Sequence, residues 1–188
     1  MIITTEAGDA KPKEASSLKT GCIGCLSIVV IAAVIIAIVM AVTGGGHKAT
    51  VAEQARSYID KNGADVKRVQ ANVVTVQVMI GLAQKAPTQG NVNGLAQGAQ
   101  QAHDNLDNLR YSLTGDFPGG ALGDAELSVF SGTSDLRDAM SALVTYTGTP
   151  NAATLAKFTT KYQSAVAEWN RGVRTIWKLA NTPKPPTL

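Results

Sequence analysis

The sequence predicts an all-α protein: one N-terminal transmembrane helix followed by an antiparallel four-helix bundle of up-down-up-down order. Three observations lead there. Residues 23–43 carry no charged side chain. Beyond residue 50, apolar residues recur at alternating steps of three and four in four separate windows, which is the period of one helix face. Breaks rich in Gly, Pro and Thr separate those windows, and breaks of such length join antiparallel neighbours in a bundle. Strict alternation of apolar and polar residues, the mark of a half-buried strand, is poor throughout.

Residues 1–22 read as a disordered tail in which Lys11, Lys13 and Lys19 are balanced by Glu6, Asp9 and Glu14. The apolar segment opens with Ile23-Gly24-Cys25-Leu26-Ser27 and continues as IVVIAAVIIAIVMAVT to Thr43. As a helix it covers about 31 Å, enough to cross the hydrocarbon core of a bilayer. A water-soluble helix of this length needs a polar face, and this one has none. The run exceeds the apolar core of a secretory signal, and Ala41-Val42-Thr43 is a poor cleavage site, so it reads as a retained anchor. Cys22 and Cys25 precede the apolar run, whereas a lipoprotein cysteine follows one. They read as small apolar residues at the helix entrance, since no second ligand pair accompanies them. Lys11, Lys13 and Lys19 on one side match Lys48, Arg56 and Lys61 on the other, so the positive-inside count is a tie. A short N-tail before an uncleaved signal-like segment favours a cytoplasmic N-terminus and an extracytoplasmic domain at the cell membrane.

Residues 44–49, opening with Gly44-Gly45-Gly46, form a flexible hinge. The bundle domain is expected over residues 50–181. Thr50-Val51-Ala52-Glu53 has the form of a capping box. The first stripe follows it through Ala55, Ile59, Val66, Val69, Val73, Val76 and Ile80 towards Lys85, with Gly63 as a candidate kink or break. Ala86 to Gly90 form a loop. Leu95, Ala99, Ala102, Leu106, Leu109 and Leu113 make the second stripe, and a loop from Thr114 to Gly123 follows. The third stripe runs through Leu122, Val129, Leu136, Met140 and Leu143, broadened by Leu127, Phe130 and Val144. Gly148 is placed as a helix C-cap, and Pro150 is placed to start the next helix. Leu155, Phe158, Tyr162, Val166, Trp169, Val173, Ile176 and Ala180 form the fourth stripe. Thr182-Pro183 ends it, leaving residues 182–188 as a Pro-rich extended tail.

Charge bounds the function. The chain carries a net +3, all of it in residues 44–188, and the charges there are too few and too mixed to form a nucleic-acid-binding face. Cysteine is absent from the bundle domain, which therefore needs no disulfide. His103 with Asp104 and Asp107 forms one corner of a metal site at most, because no Glu-x-x-His pair accompanies it; a polar helix face is the reading adopted, with no metal and no cofactor. Neither a phosphate-binding loop nor a nucleophile elbow is present. The fourth helix is the most distinctive: Lys157, Lys161, Arg171, Arg174 and Lys178 stand against Glu168 alone, while residues 104–138 carry seven acids against Arg110 and Arg137. These cations are expected either to lie beside the acidic helices or to form a docking surface for an anionic partner. Trp169 and Trp177 share a face and read as core.

The stretch Tyr162-Gln163-Ser164-Ala165-Val166-Ala167-Glu168-Trp169-Asn170-Arg171-Gly172-Val173-Arg174 resembles the late helix of LemA-type membrane proteins, which also join an N-terminal anchor to a helical bundle. The resemblance covers 13 residues of common helix-forming types and is not matched in the first long helix, so it assigns no family. Taken together, the chain reads as a non-enzymatic, membrane-anchored interaction module. It meets the lipid bilayer through residues 23–43 and a protein partner in the membrane or envelope. A tethered ligand-binding or sensor domain is the alternative.

Overall fold

A computed structural model of the chain describes residues 49–188 apart from Thr114. The expected N-terminal tail, the apolar span at 23–43 and the glycines of the hinge lie outside the described residues. Among the described residues no helix is long and apolar enough to cross a membrane.

Four helices and no strand make up the described residues: α1 Val51–Lys85, α2 Gln89–Ser112, α3 Ala121–Gly148 and α4 Ala152–Leu179. Their starts are chemically specified. The Glu53 amide donates to the Thr50 hydroxyl at 3.3 Å, and the Thr50 amide donates to the Glu53 carboxylate at 2.7 Å, so the capping box closes. Thr88 caps α2 by accepting from the Asn91 amide at 3.2 Å. Asn151 caps α4 by accepting from the Thr154 amide at 2.9 Å, while its own amide donates back to the Thr154 hydroxyl. The helix therefore opens at Ala152, and Pro150 stands before the cap instead of beginning the helix. Gly63 does not break α1, which runs through it for 35 residues. Its missing side chain costs about 1 kcal/mol of helix propensity, and the buried Tyr58, Asn62 and Val66 around it hold the turn against the core.

Residue pairs across the α1–α2 and α3–α4 seams run in opposite directions. Asn105 of α2 donates to Asn72 of α1 at 2.8 Å, and the Gly98 backbone approaches Met79 further along. Arg137 of α3 pairs with Asp107 of α2, Ser131 of α3 donates to Glu168 of α4 at 2.9 Å, and Arg56 near the start of α1 donates to the Ala180 carbonyl beyond α4 at 3.0 Å. The four helices thus pack as a bundle whose core holds Val66, Val69, Val73 and Val76 of α1 with Leu106, Leu136, Met140, Trp169, Val173 and Ile176.

The α3–α4 seam is the tightest. A Cβ on Gly132 would sit 2.7 Å from the Trp169 amide nitrogen, and one on Gly172 would sit 2.7 Å from the Ala125 carbonyl oxygen. Bare backbone lets the two helices touch there, which buries Trp169 completely. The loop between α2 and α3 is shorter than its composition implies: α3 begins at Ala121, so Gly123 lies in its first turn, where a Cβ would meet the Pro118 carbonyl.

The Pro-rich segment does not run free. Asn170 of α4 donates to the Leu188 carbonyl at 3.0 Å and accepts from the Leu188 amide at 2.9 Å. Gln70 of α1 donates to the Thr187 carbonyl at 2.7 Å. Leu188 packs against the core, so Thr187 and Leu188 are seated between α1 and α4.

Candidate functional site

The stripes of α1 and α3 each carry an interruption that the apolar period alone passes over. On α1 the buried positions run Ala55, Tyr58, Asn62, Val66, Val69, Val73, Val76, and Asn62 takes a core place at 2% exposure. On α3 the register Leu122, Glu126, Val129, Thr133, Leu136 admits Glu126 at 4% exposure. Thr133 is satisfied by donating to the Val129 carbonyl at 2.7 Å. Tyr58, Asn62 and Glu126 instead line a cleft of about 270 Å³ at the end of the bundle where α1 begins and residues 115–118 cross.

Several local features build this cleft. Tyr58 and Asn62 are one helical turn apart, which stacks them on one face of α1. Phe117, held at φ 40°, turns its amide to donate to Glu126 Oε2 at 3.1 Å. Gly115 lies against the same carboxylate, and a Cβ there would meet Oε2. Burial pushes the Glu126 carboxyl above its ordinary range and Asp116 adds to the shift, against the Phe117 amide and Lys61. The Tyr58 phenol is likewise raised, first by burial and then by the Glu126 charge. Within the described residues the Tyr58 hydroxyl and Asn62 Nδ2 are buried without a hydrogen-bond partner. Orphaned polar groups of this kind each cost about 1–3 kcal/mol. Sequence reasoning missed all three residues, although a polar side chain at an apolar register position was the signal that marks them.

The five cations singled out on α4, Lys157, Lys161, Arg171, Arg174 and Lys178, are all exposed. Arg171 donates to the Ser128 hydroxyl at 3.0 Å and lies 3.8 Å from Glu168. The other four form no ion pair among the described residues. The acids expected opposite them are engaged elsewhere or stand back: Asp107 with Arg110 and Arg137, Asp138 with Arg137. Asp135 feels Lys161 only at longer range, and burial raises its carboxyl.

His103 is half-buried and 2.9 Å from Asp104, and that hydrogen bond lowers the Asp104 carboxyl. The Arg137 hydrogen bond does the same for Asp107. Asp107 is therefore committed to arginines while Asp104 keeps the histidine. Among the described residues no group of three His, Cys, Asp or Glu side chains is placed to hold a metal ion.

The opposite end of the bundle differs in character. Residues 69–84, 86–103 and 139–156 contain no Asp, Glu, Lys or Arg. An apolar groove of about 450 Å³ lies there, lined by Ile80, Leu95, Leu143, Tyr146, Leu155 and Phe158. Val74, Val78 and Leu82 stand exposed on α1, one helical turn apart. Compared with protein-family models, with curated proteins and with solved structures, the chain matches none.

Proposed function

We propose that the protein is a non-enzymatic, membrane-tethered binding module whose α4 cations dock an acidic protein partner in the membrane or envelope. One observation carries the reading: five cations share the solvent face of α4, and four of them form no ion pair within the described residues. An unneutralised cationic face steers anionic partners and sets their orientation. The tether rests on the uncharged run at residues 23–43 and the glycines that follow it. With the N-terminus cytoplasmic, the bundle faces away from the cytoplasm.

The test reverses the face. Full-length chain carrying Lys157→Glu, Lys161→Glu, Arg174→Glu and Lys178→Glu is compared with the wild type after mild-detergent purification from native membranes. Crosslinking from a photoreactive residue at position 163 is expected to recover a partner whose crosslinked surface is acidic. The reversed variant is expected to lose that partner at least about ten-fold, the equivalent of 1.4 kcal/mol, with an unchanged melting temperature. Equal recovery by both proteins, or capture of a partner through a basic surface, overturns the proposal. A second reading, a tethered ligand-binding domain, is favoured by the buried polar cleft on α1 and α3.

A further inference from the structure

We infer that the Tyr58–Asn62–Glu126 cleft is a binding site for a compact primary ammonium compound that carries an oxygen acceptor next to its charge. The inference stands apart from the α4 docking face, with which the cleft shares no residue.

The chemistry follows from what the three buried side chains lack. Asn62 Nδ2 is a donor with no acceptor, and the Tyr58 hydroxyl is both donor and acceptor with neither role used. Glu126 accepts one backbone hydrogen bond, from Phe117, and its carboxylate has room for further donors. An occupant that completes this set must donate to the carboxylate and accept from the amide. An ammonium group provides two or three N–H donors for Glu126 and the Tyr58 oxygen. A hydroxyl or carbonyl oxygen on the adjacent carbon accepts from Asn62.

Charge points the same way. Among the described residues Asp116 and Glu126 face Lys61 at the cleft, so carboxylates outnumber cations there and a cation is favoured over an anion. Size limits the ligand to a small one, since about 270 Å³ lies below the ordinary range of drug-sized pockets. The loop is shaped for this use as well. The bare backbone of Gly115 and the left-handed turn at Phe117 bring an amide and no side chain up to the carboxylate.

Binding is linked to protons. The carboxyl must ionise to hold an ammonium ion, and its burial raises the pH at which it does so. Affinity is therefore expected to climb as pH rises through the Glu126 transition and then level off.

Ethanolamine, ethylamine and ethylene glycol separate the parts of the argument. Each is titrated into full-length, isotopically labelled chain in detergent, with the Tyr58, Asn62 and Phe117 resonances as readout. A ligand of four heavy atoms binds no tighter than tens of micromolar by the usual ceiling on ligand efficiency, so the titrations extend to roughly 50 mM. Ethanolamine is expected to saturate, ethylamine to bind about ten-fold more weakly for the loss of one hydrogen bond to a buried donor, and ethylene glycol to leave the resonances unmoved. Glu126→Gln should abolish ethanolamine binding, and Tyr58→Phe, which keeps the ring packed, should weaken it. Three results overturn the inference: no saturable response to ethanolamine, an equal response in Glu126→Gln, or tighter binding of ethylene glycol than of either amine. The last two would leave a cleft filled by solvent or by a neutral molecule. None of these outcomes alters the expected result of reversing the α4 charges.

Discussion

Replacing Gly172 with Ala tests whether the α3–α4 seam is as closely determined as its geometry implies. Any Cβ at this position lies 2.7 Å from the Ala125 carbonyl oxygen, 2.8 Å from the Val129 amide nitrogen and 2.9 Å from Val129 Cγ2. Ordinary contact begins at 3.4 Å, so the shortfall against the carbonyl is 0.7 Å, obtained as 3.4 minus 2.7. Two of the three obstacles are backbone atoms, which no rotamer change can move. Relief requires α4 to shift away from α3, loosening Val129, Trp169 and Val173 along the seam. Overpacking of this kind costs about 1–3 kcal/mol, while Ala in place of Gly returns about 1 kcal/mol of helix propensity. The balance is a loss centred on about 1 kcal/mol, or about 3–4 °C in melting temperature for a domain of this size. Gly94→Ala supplies the control, because Gly94 is also inside a helix and its Cβ would meet nothing within 4 Å. There the propensity gain is unopposed, and stability should rise by about 0.5–1 kcal/mol. Urea denaturation of the full chain in detergent, followed by circular dichroism and by tryptophan fluorescence, gives both numbers. If Gly172→Ala matched or exceeded the wild type while Gly94→Ala behaved as expected, the seam would be yielding and the reasoning from close approach would be wrong.

Two further outcomes follow from the same structure. Glu126 titrates higher in the folded chain than in the unfolded one, so its contribution is complete below the unfolded value, about 4.3, and is lost as pH rises through the folded value. Glu126→Gln should therefore raise the melting temperature at about pH 8 and approach the wild type near pH 4; a gap of equal size at both would remove burial of the charge as its cause. Asn170→Ala deletes both hydrogen bonds to Leu188, so the Leu188 amide should exchange with solvent at least about ten-fold faster for a net loss near 1.4 kcal/mol. Unchanged exchange would mean that apolar packing alone seats the segment.

The helices themselves were legible residue by residue. Thr50 and Glu53 announced the start of α1, and the stripes through Val66 to Val76, Leu95 to Leu106 and Trp169 to Ile176 named the core, because apolar period and end-capping are local properties of the chain. The charges of α4 were equally plain, and so was their excess over Glu168. Partner choice was not. Whether an acid from α2 or α3 reaches Lys157 or Lys178 depends on how the helices are rotated about their axes, and that rotation is set by packing. Gly132 and Gly172 look like weak points in a helix until the seam shows that each admits the backbone of the other helix. Pro150 obeyed the preference for early helical positions less than Asn151 obeyed the stronger one for a side-chain cap. Residues 182–188 have the composition of a free tail and are held by Gln70 and Asn170, two polar residues 117 and 18 positions from their partners along the chain. The cleft shows the division most clearly. Asn62 and Glu126 each stand out from their own stripe as a polar residue in an apolar register, a mark readable along the chain. That they line one cleft together with Tyr58, with unfilled hydrogen-bonding capacity there, is a property of three segments meeting in space. Sequence determines which faces are buried; only the packed bundle decides which buried groups become neighbours.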